Sequence, residues 1–173
     1  MVNYFIERQI RRTNREKVAT NITNAKTVGI LFSLENEQFY EQVSLLMDEL
    51  AEQKKVVNAL VYNTEAQTPA FFVPKIKIDV FTHKDLNFVG IPTTGFIKDF
   101  MAKKFDILFD LTLSDNQSLD YIACLSQAKF KIGRYREKMI KYFDVLINKN
   151  EEMSELLYLK YFMDYSSKIN TKS

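Results

Sequence analysis

The sequence contains very few of the residues on which familiar catalytic and metal sites depend. Its 173 residues include one Cys, one His, no Trp, three Pro and four Gly. A single Cys cannot form an internal disulfide framework, and one Cys with one His cannot supply an ordinary zinc ligand set. The composition therefore predicts no zinc chemistry and no bound cofactor or metal, and the lone thiol fits a reducing compartment.

Long apolar runs and an excess of one charge are also missing. At the N-terminus the apolar run covers only residues 4–6, far less than the core of a signal peptide. No segment approaches the length of a membrane span. Because 24 basic and 22 acidic residues leave a net charge of only +2, no global field attracts nucleic acid or a membrane. These features predict a cytoplasmic protein that has no contact with a membrane.

Apolar and aromatic residues, by contrast, are abundant. Hydrophobic residues make up 46% of the chain, which includes 14 Phe and nine Tyr, and this is enough to bury a substantial core. We expect a single α/β domain over residues 25–165. A basic N-terminal helix over residues 1–24 is predicted to precede it, and a frayed tail over residues 166–173 to follow it.

Strand-like and helix-like segments alternate along the sequence. Apolar runs of strand length cover residues 27–33 and 56–62, and a helix pattern capped by Asn36 lies between them. Further strands are predicted at residues 75–81, 105–111, 130–135 and 143–148. Helices are predicted near Phe96, after a capping box at Ser114 and Gln117, and from Asn150 to about Tyr165. This alternation predicts an open, mostly parallel, Rossmann-like α/β sheet of about five or six strands with helices on both faces.

A short motif occurs twice, as FDILFD from Phe105 and as FDVLIN from Phe143. We interpret the repeat as architecture: each Phe fills a helix–strand junction, and each Asp accepts hydrogen bonds from backbone donors at the turn. The two copies differ at their last position, which is Asp110 in one and Asn148 in the other.

A ligand site in an open α/β sheet is expected at the carboxyl ends of the strands. A carboxylate, a His and an Arg that meet there could perform acid–base chemistry on an anionic substrate. The candidate residues of this crevice are Ser33, Asn63, His83, Asp85, Asp110, Arg134 and Asn148.

No catalytic set in the sequence is complete. The first strand-to-helix turn, SLENEQ, has no Gly and carries Glu35 and Glu37, which argues against a dinucleotide there. GIPTTG has the glycine spacing of a P-loop, but Phe96 occupies the position of the essential Lys. His83 and Cys124 form the one nucleophilic pair that can be written, although a buried Cys and a solvated turn are the simpler interpretation.

The two ends of the chain suggest a binding surface. Arg8, Arg11, Arg12 and Arg15 have the spacing of one helix face, so they form either a stripe for an acidic or phosphate-bearing partner or a solvated face. The last helix is apolar on two sides. Its second side is predicted to pack within the chain or to bind a partner, and consists of Tyr158, Tyr161, Phe162 and Tyr165.

Two stretches resemble known families. HKDLNFVGIP, followed by FDILFDLTLSDNQSLDYIACLSQAKFKIG, resembles a family of small bacterial proteins known as a domain of unknown function. FDILFDL and AKFKIGRY are also similar to part of the N-terminal domain of heptosyltransferase-type glycosyltransferases. That second likeness implies the Rossmann-like fold, but such a transferase needs a second α/β domain, which we do not expect in this chain.

Two functions therefore remain open from the sequence. The first is a non-enzymatic binding or adaptor module that engages a protein or ribonucleoprotein partner through its terminal helices, with a homodimer and direct RNA contact as variants. The second is a small ligand-binding protein or enzyme, a glycosyltransferase-like half, which acts on an anionic substrate at the carboxyl ends of the strands.

Overall fold

The computed structural model describes residues 2–10, 14–65, 67–73, 75 and 77–171. Six strands in this part of the chain form one sheet: β1 (Thr27–Ser33), β2 (Val56–Tyr62), β3 (Ile78–Phe81), β4 (Ile107–Asp110), β5 (Phe130–Arg134) and β6 (Val145–Ile147). The helices are α1 (Val2–Ile10), α2 (Glu37–Glu52), α3 (Gly95–Ala102), α4 (Gln117–Leu125) and α5 (Glu155–Lys168). Short 3-10 helices cover His83–Asp85 and Glu137–Met139.

The sheet is open and parallel, with the strand order β3-β2-β1-β4-β5-β6. The chain winds outward from β1 to β3 and then returns to place β4 on the other side of β1. This reversal creates a switch point between β1 and β4, which is where ligands usually bind in open α/β sheets. The structure confirms the predicted fold class and supplies the strand order.

Helices cover both faces of the sheet and bury two apolar cores. On one face Val28, Ile30 and Phe32 of β1 pack in the same core as residues of α2 and α5. On the other face Leu31 belongs to a core with residues of α1, α3 and α4. Successive strand residues point to opposite faces, so a sheet covered on both sides needs the nearly continuous apolar strands seen here.

The structure shifts the starts of two predicted helices. Asn36 caps α2 as expected, because its side-chain oxygen accepts a hydrogen bond from the Phe39 amide at 2.8 Å. The predicted capping box at Ser114 and Gln117 is wrong: Asn116 caps α4. α5 likewise begins after its cap Ser154 and not at residue 150.

The terminal segments also differ from the sequence expectation. α1 ends at Ile10 and residues 14–20 are not helical, so the basic helix predicted for residues 1–24 is much shorter. At the other end α5 continues to Lys168 and buries Ser166 completely, inside the segment predicted as tail. Among the helices described, none has the length and apolar character needed to cross a bilayer.

The first Phe-Asp segment joins β4 to the neighbouring strand β1. Asp106 accepts hydrogen bonds from the backbone amides of Lys26 and Thr27, at 2.9 and 3.1 Å. The Phe105 ring covers Gly29 so closely that a Cβ atom there would lie 2.7 Å from the ring. The two residues therefore set the junction between the two central strands.

The second Phe-Asp segment repeats these contacts between β6 and β5. Asp144 accepts a hydrogen bond from the Lys131 amide at 2.8 Å. A Cβ atom at Gly133 would lie 2.6 Å from the Phe143 ring. The architectural interpretation of the repeat is confirmed, because both copies combine a ring over a neighbouring glycine with a carboxylate on a neighbouring amide.

Candidate functional site

A buried charge cluster lies at the carboxyl ends of β4 and β5. Asp110 ends β4 with 1% of its surface exposed, and Arg136 follows β5. The Arg136 guanidinium donates to the Asp110 carboxylate at 2.9 Å and to the Asp120 carboxylate on α4. Desolvation raises the pKa of Asp110, and the adjacent Arg136 opposes that rise. For Arg136, desolvation is outweighed by the two carboxylates, so its pKa is raised.

Other charged side chains extend this cluster to the surface. Lys138 contacts the second oxygen of Asp120 at 2.8 Å, and Arg134 contacts Asp115 at 2.8 Å. Arg134 also donates to the Thr112 carbonyl oxygen at 3.3 Å. The predicted residues Asp110 and Arg134 therefore lie in one network, but each is bound to another partner within the chain.

The switch point is bridged by side chains from its own two loops. Glu35, in the loop after β1, accepts hydrogen bonds from Ser33 at 2.7 Å and from Ser114 at 2.6 Å. This carboxylate therefore links the loop after β1 to the loop after β4. A negative group at this place disfavours a phosphate, in agreement with the interpretation of SLENEQ from the sequence.

The remaining crevice candidates lie apart from Asp110. His83 and Asp85 follow β3, and β3 is three interstrand spacings from β4, roughly 14 Å. Asp85 caps its own turn by accepting from the Thr82 amide at 2.9 Å, and Asn63 bonds to its own loop. Asn148 is exposed beside the edge strand β6. The seven predicted residues therefore do not form one cleft.

Cys124 does not form a dyad with His83. It lies on α4 with its sulfur 3.9 Å from the sulfur of Met139, and burial raises the pKa of its thiol to about 12. A buried thiol with a raised pKa is a poor nucleophile. The residues described also contain no group of three or more His, Cys, Asp or Glu arranged to hold a metal ion.

The predicted arginine stripe does not form on one helix face. Arg15 lies beyond α1, where its guanidinium donates to both oxygens of Asp144, at 2.7 and 2.8 Å. Arg8 is exposed in the last turn of α1. Arg11 and Arg12 lie outside the described residues. Arg15 therefore anchors the N-terminal segment to the turn before β6.

The aromatic residues of α5 divide into a buried and an exposed pair. Tyr158 and Phe162 are buried in the chain's own core. The Phe162 ring packs edge-on against the Phe109 ring, with the two ring centroids 5.2 Å apart. Tyr161 and Tyr165 remain 46% and 56% exposed. The partner-binding prediction is therefore corrected for Tyr158 and Phe162, which support the sheet, and stays a prediction for the other two.

The exposed tyrosines border a groove of about 380 Å³ between α5 and the edge strand β6. Its lining residues are Val145, Leu146, Ile147, Asn148, Met153, Tyr161 and Tyr165. A second depression continues the groove past Tyr161 along Leu157, Lys160 and Asp164. We call these two depressions together the α5–β6 surface.

Several of the important residues were not predicted from the sequence. Arg136, Asp120 and Lys138 had no local motif to mark them, because their partners lie on different elements of the fold. Lys131 did carry a signal, since a charged residue inside the apolar strand FKIG must find a buried partner. Its ammonium group donates to the carbonyl oxygens of Ala123 and Cys124, each at 2.8 Å.

Comparison with known proteins identifies a family but no activity. The chain belongs to DUF6913, a family of unknown function, whose model matches residues 1–165. No curated protein matches the sequence. The likeness to glycosyltransferases is therefore not shown.

Proposed function

We propose that this member of DUF6913 is a non-enzymatic protein-binding module and that its α5–β6 surface holds the partner. The observation that carries this proposal is the exposure of Tyr161 and Tyr165 beside the open edge of the sheet. Tyr is enriched among the residues that dominate binding energy, because it supplies a large apolar area and a polar tip.

The edge strand supports the same proposal. Among the strands in the described part of the chain, β6 pairs only with β5, so its other side offers backbone groups to an incoming strand. An extended peptide that adds to such an edge gains main-chain hydrogen bonds, while a neighbouring groove selects its side chains. In this proposal the groove between β6 and α5 selects the side chains of the added segment.

The charges of the surface favour a protein over a nucleic acid. Lys160 and Asp164 line the same depression, and Asp164 also pairs with Lys168 at 2.7 Å. A surface for a phosphate backbone needs an excess of basic side chains. This surface carries both signs, so we assign it to an extended, largely apolar segment of a protein.

Site-specific photo-crosslinking tests the proposal. A photoreactive phenylalanine analogue replaces Tyr161 in one variant and Phe88 in the control, because Phe88 is an aromatic residue that is 98% exposed on a different loop. In cells that make the protein naturally, we expect a discrete protein adduct at position 161 that position 88 does not give. Tyr165→Ser should weaken that adduct.

The possible products decide between partners. An adduct with the mass of two copies would identify a second copy of this chain as the partner. Equal, diffuse labelling from both positions, or an adduct that ribonuclease removes, would overturn the proposal.

A further inference from the structure

A basic cavity lies at the amino edge of the sheet, opposite the carboxyl ends of the strands. It occupies about 220 Å³ between the segment after α1, the end of α4 and the turn before β6. Among the described residues that line it, four are basic and none is acidic. The basic residues are Arg15, Lys17, Lys131 and Lys141, and Ser126 and Tyr142 add hydroxyl groups.

Lys131 is the most unusual residue of the cavity wall, since it is a lysine with only 1% of its surface exposed. Its ammonium group donates to two carbonyl oxygens at the carboxyl end of α4, and an ammonium has three donors. Burial, with the neighbouring charge of Arg15, lowers its pKa to about 7. A negative ligand nearby would stabilise the charged form of this lysine.

The other basic residues of the cavity differ in how closely they pair with a carboxylate of the chain. Arg15 is occupied by both oxygens of Asp144. Lys17 is 3.9 Å from the same carboxylate but 64% exposed, and Lys141 pairs with Glu7 while remaining 60% exposed. The two exposed lysines can therefore turn toward a ligand without breaking a buried contact.

We propose that this cavity binds a small oxyanion, the phosphate or carboxylate group of a metabolite, between Lys17, Lys131 and Lys141. The cavity is smaller than the sites of ~300–1,000 Å³ that hold drug-sized ligands, so it suits a compact anion. Binding of this kind is independent of the α5–β6 surface, because that surface lies along α5 and the outer side of β6.

The site has a defined pH dependence. The groups that face Lys131 are Cys124 from α4, Arg15 and Lys17 from the N-terminal segment, and Asp144 from the turn before β6. Lys141 and Tyr142 line the same cavity. Because an anion binds better to a protonated Lys131, affinity should be highest below pH 7 and should fall as the pH rises through 7.

Titration of the isotope-labelled full chain by NMR, at constant ionic strength, tests the proposal. Sulfate is the first probe because its charge does not change between about pH 6 and 8. Phosphate and malonate are then titrated to show whether the cavity prefers a phosphate or a carboxylate group. We expect saturable shifts of the Ser126 and Gln127 amides, with at least a fivefold weaker affinity at pH 8 than at pH 6.

Two pairs of substitutions keep the test decisive. Lys17→Gln with Lys141→Gln alters exposed side chains of the cavity and should weaken sulfate binding at least tenfold. Lys84→Gln with Lys98→Gln removes the same charge from exposed positions outside both proposed sites and should leave sulfate binding unchanged. Equal weakening by both pairs, or shifts spread over many surface lysines, would show non-specific screening and overturn the proposal.

The buried lysine itself provides a further variant. Lys131→Met substitutes a slightly shorter, unbranched apolar side chain and removes the charge, and it should abolish the pH dependence along with most of the affinity. If that variant fails to fold, the comparison of the two surface pairs still decides the outcome.

Discussion

The two Phe-Asp segments make the same contacts in very different surroundings. The first enters β4 at the centre of the sheet, and the second enters β6 at its edge. At the other end of the segment the first copy finishes with Asp110, which is buried against Arg136, and the second with the exposed Asn148.

This difference separates two roles of one motif. The contacts at the start of each strand involve only the neighbouring strand. Both copies therefore keep a Phe ring packed over a glycine and an Asp carboxylate that accepts a hydrogen bond from a backbone amide. The exit position depends on what surrounds it. Asp110 at the end of the central strand β4 is buried and therefore needs a buried counter-charge. Asn148 at the end of the edge strand β6 is exposed to solvent and needs none.

The largest expected effect comes from removing that counter-charge. Arg136→Met leaves the buried Asp110 and Asp120 without their shared cation, so we expect a loss of about 3–5 kcal/mol in the free energy of unfolding. The matched control is Arg134→Met, whose partner Asp115 is largely exposed, and it should cost about 1 kcal/mol or less. Urea unfolding measures both, and equal losses would contradict the importance of the buried network.

Exchanging the last residues of the two segments tests the comparison directly. Asp110→Asn removes the charge that Arg136 contacts and should destabilise the protein by about 2 kcal/mol. Asn148→Asp adds a charge at an exposed position and should change stability by no more than about 0.5 kcal/mol. The two thermal denaturation curves should differ clearly, and similar midpoints would show that the surroundings do not matter.

Alanine at either covered glycine probes the shared part of the motif. Gly29→Ala and Gly133→Ala each push a Cβ atom into a Phe ring, so each should cost about 1–2 kcal/mol. Gly95→Ala is the control, because nothing lies within 4 Å of the added atom. Calorimetry should also show partial rescue of Gly29→Ala by Phe105→Leu, and no rescue would place the strain elsewhere.

The smallest expected effect is the loss of folding stability at acidic pH when Asp106, just before β4, becomes protonated. Burial opposes ionisation of Asp106, but the Lys26 and Thr27 amides and Lys129 outweigh it and lower the pKa of the carboxyl group. A lowered pKa stabilises the fold above the unfolded value of about 4, and this contribution is lost as the pH falls through the folded pKa. Asp106→Asn should therefore lower the free energy of unfolding by about 1 kcal/mol near neutral pH. This magnitude follows from the usual contribution of a hydrogen bond to a charged group.

Unfolding experiments at several pH values check this expectation. The stability gap between the natural protein and Asp106→Asn should narrow as the pH falls below about 4. A gap that stays constant from neutral to acidic pH would mean that the charge of Asp106 contributes nothing.

The fold could be predicted from local patterns, but the candidate sites largely could not. Apolar runs and helix spacing identified the strands, because burial on both faces of a sheet leaves a clear signal in the sequence. Strand order depends on pairing between distant segments, and no local pattern carries it. For the same reason the partner of Asp110 could not be predicted, since Arg136 follows a strand that starts twenty residues later along the chain.

The last helix shows a second limit of sequence patterns. The sequence spacing placed Tyr158, Tyr161, Phe162 and Tyr165 together on one apolar side of α5, but the structure buries Tyr158 and Phe162 and leaves Tyr161 and Tyr165 exposed. Spacing cannot say which of these aromatic residues face the sheet. That choice depends on α5 packing in the same core as β4, where Phe162 meets Phe109.

The switch point between β1 and β4 also has a consequence for how the chain folds during synthesis. Asp106 binds the amide of Thr27, 79 residues earlier, and β1 cannot complete its second edge before β4 is available. Closing so long a connection costs chain entropy before any contact repays it. A growing chain therefore carries an apolar strand with one unpaired side until about residue 110 has left the ribosome, and this is the interval in which a chaperone would protect it most.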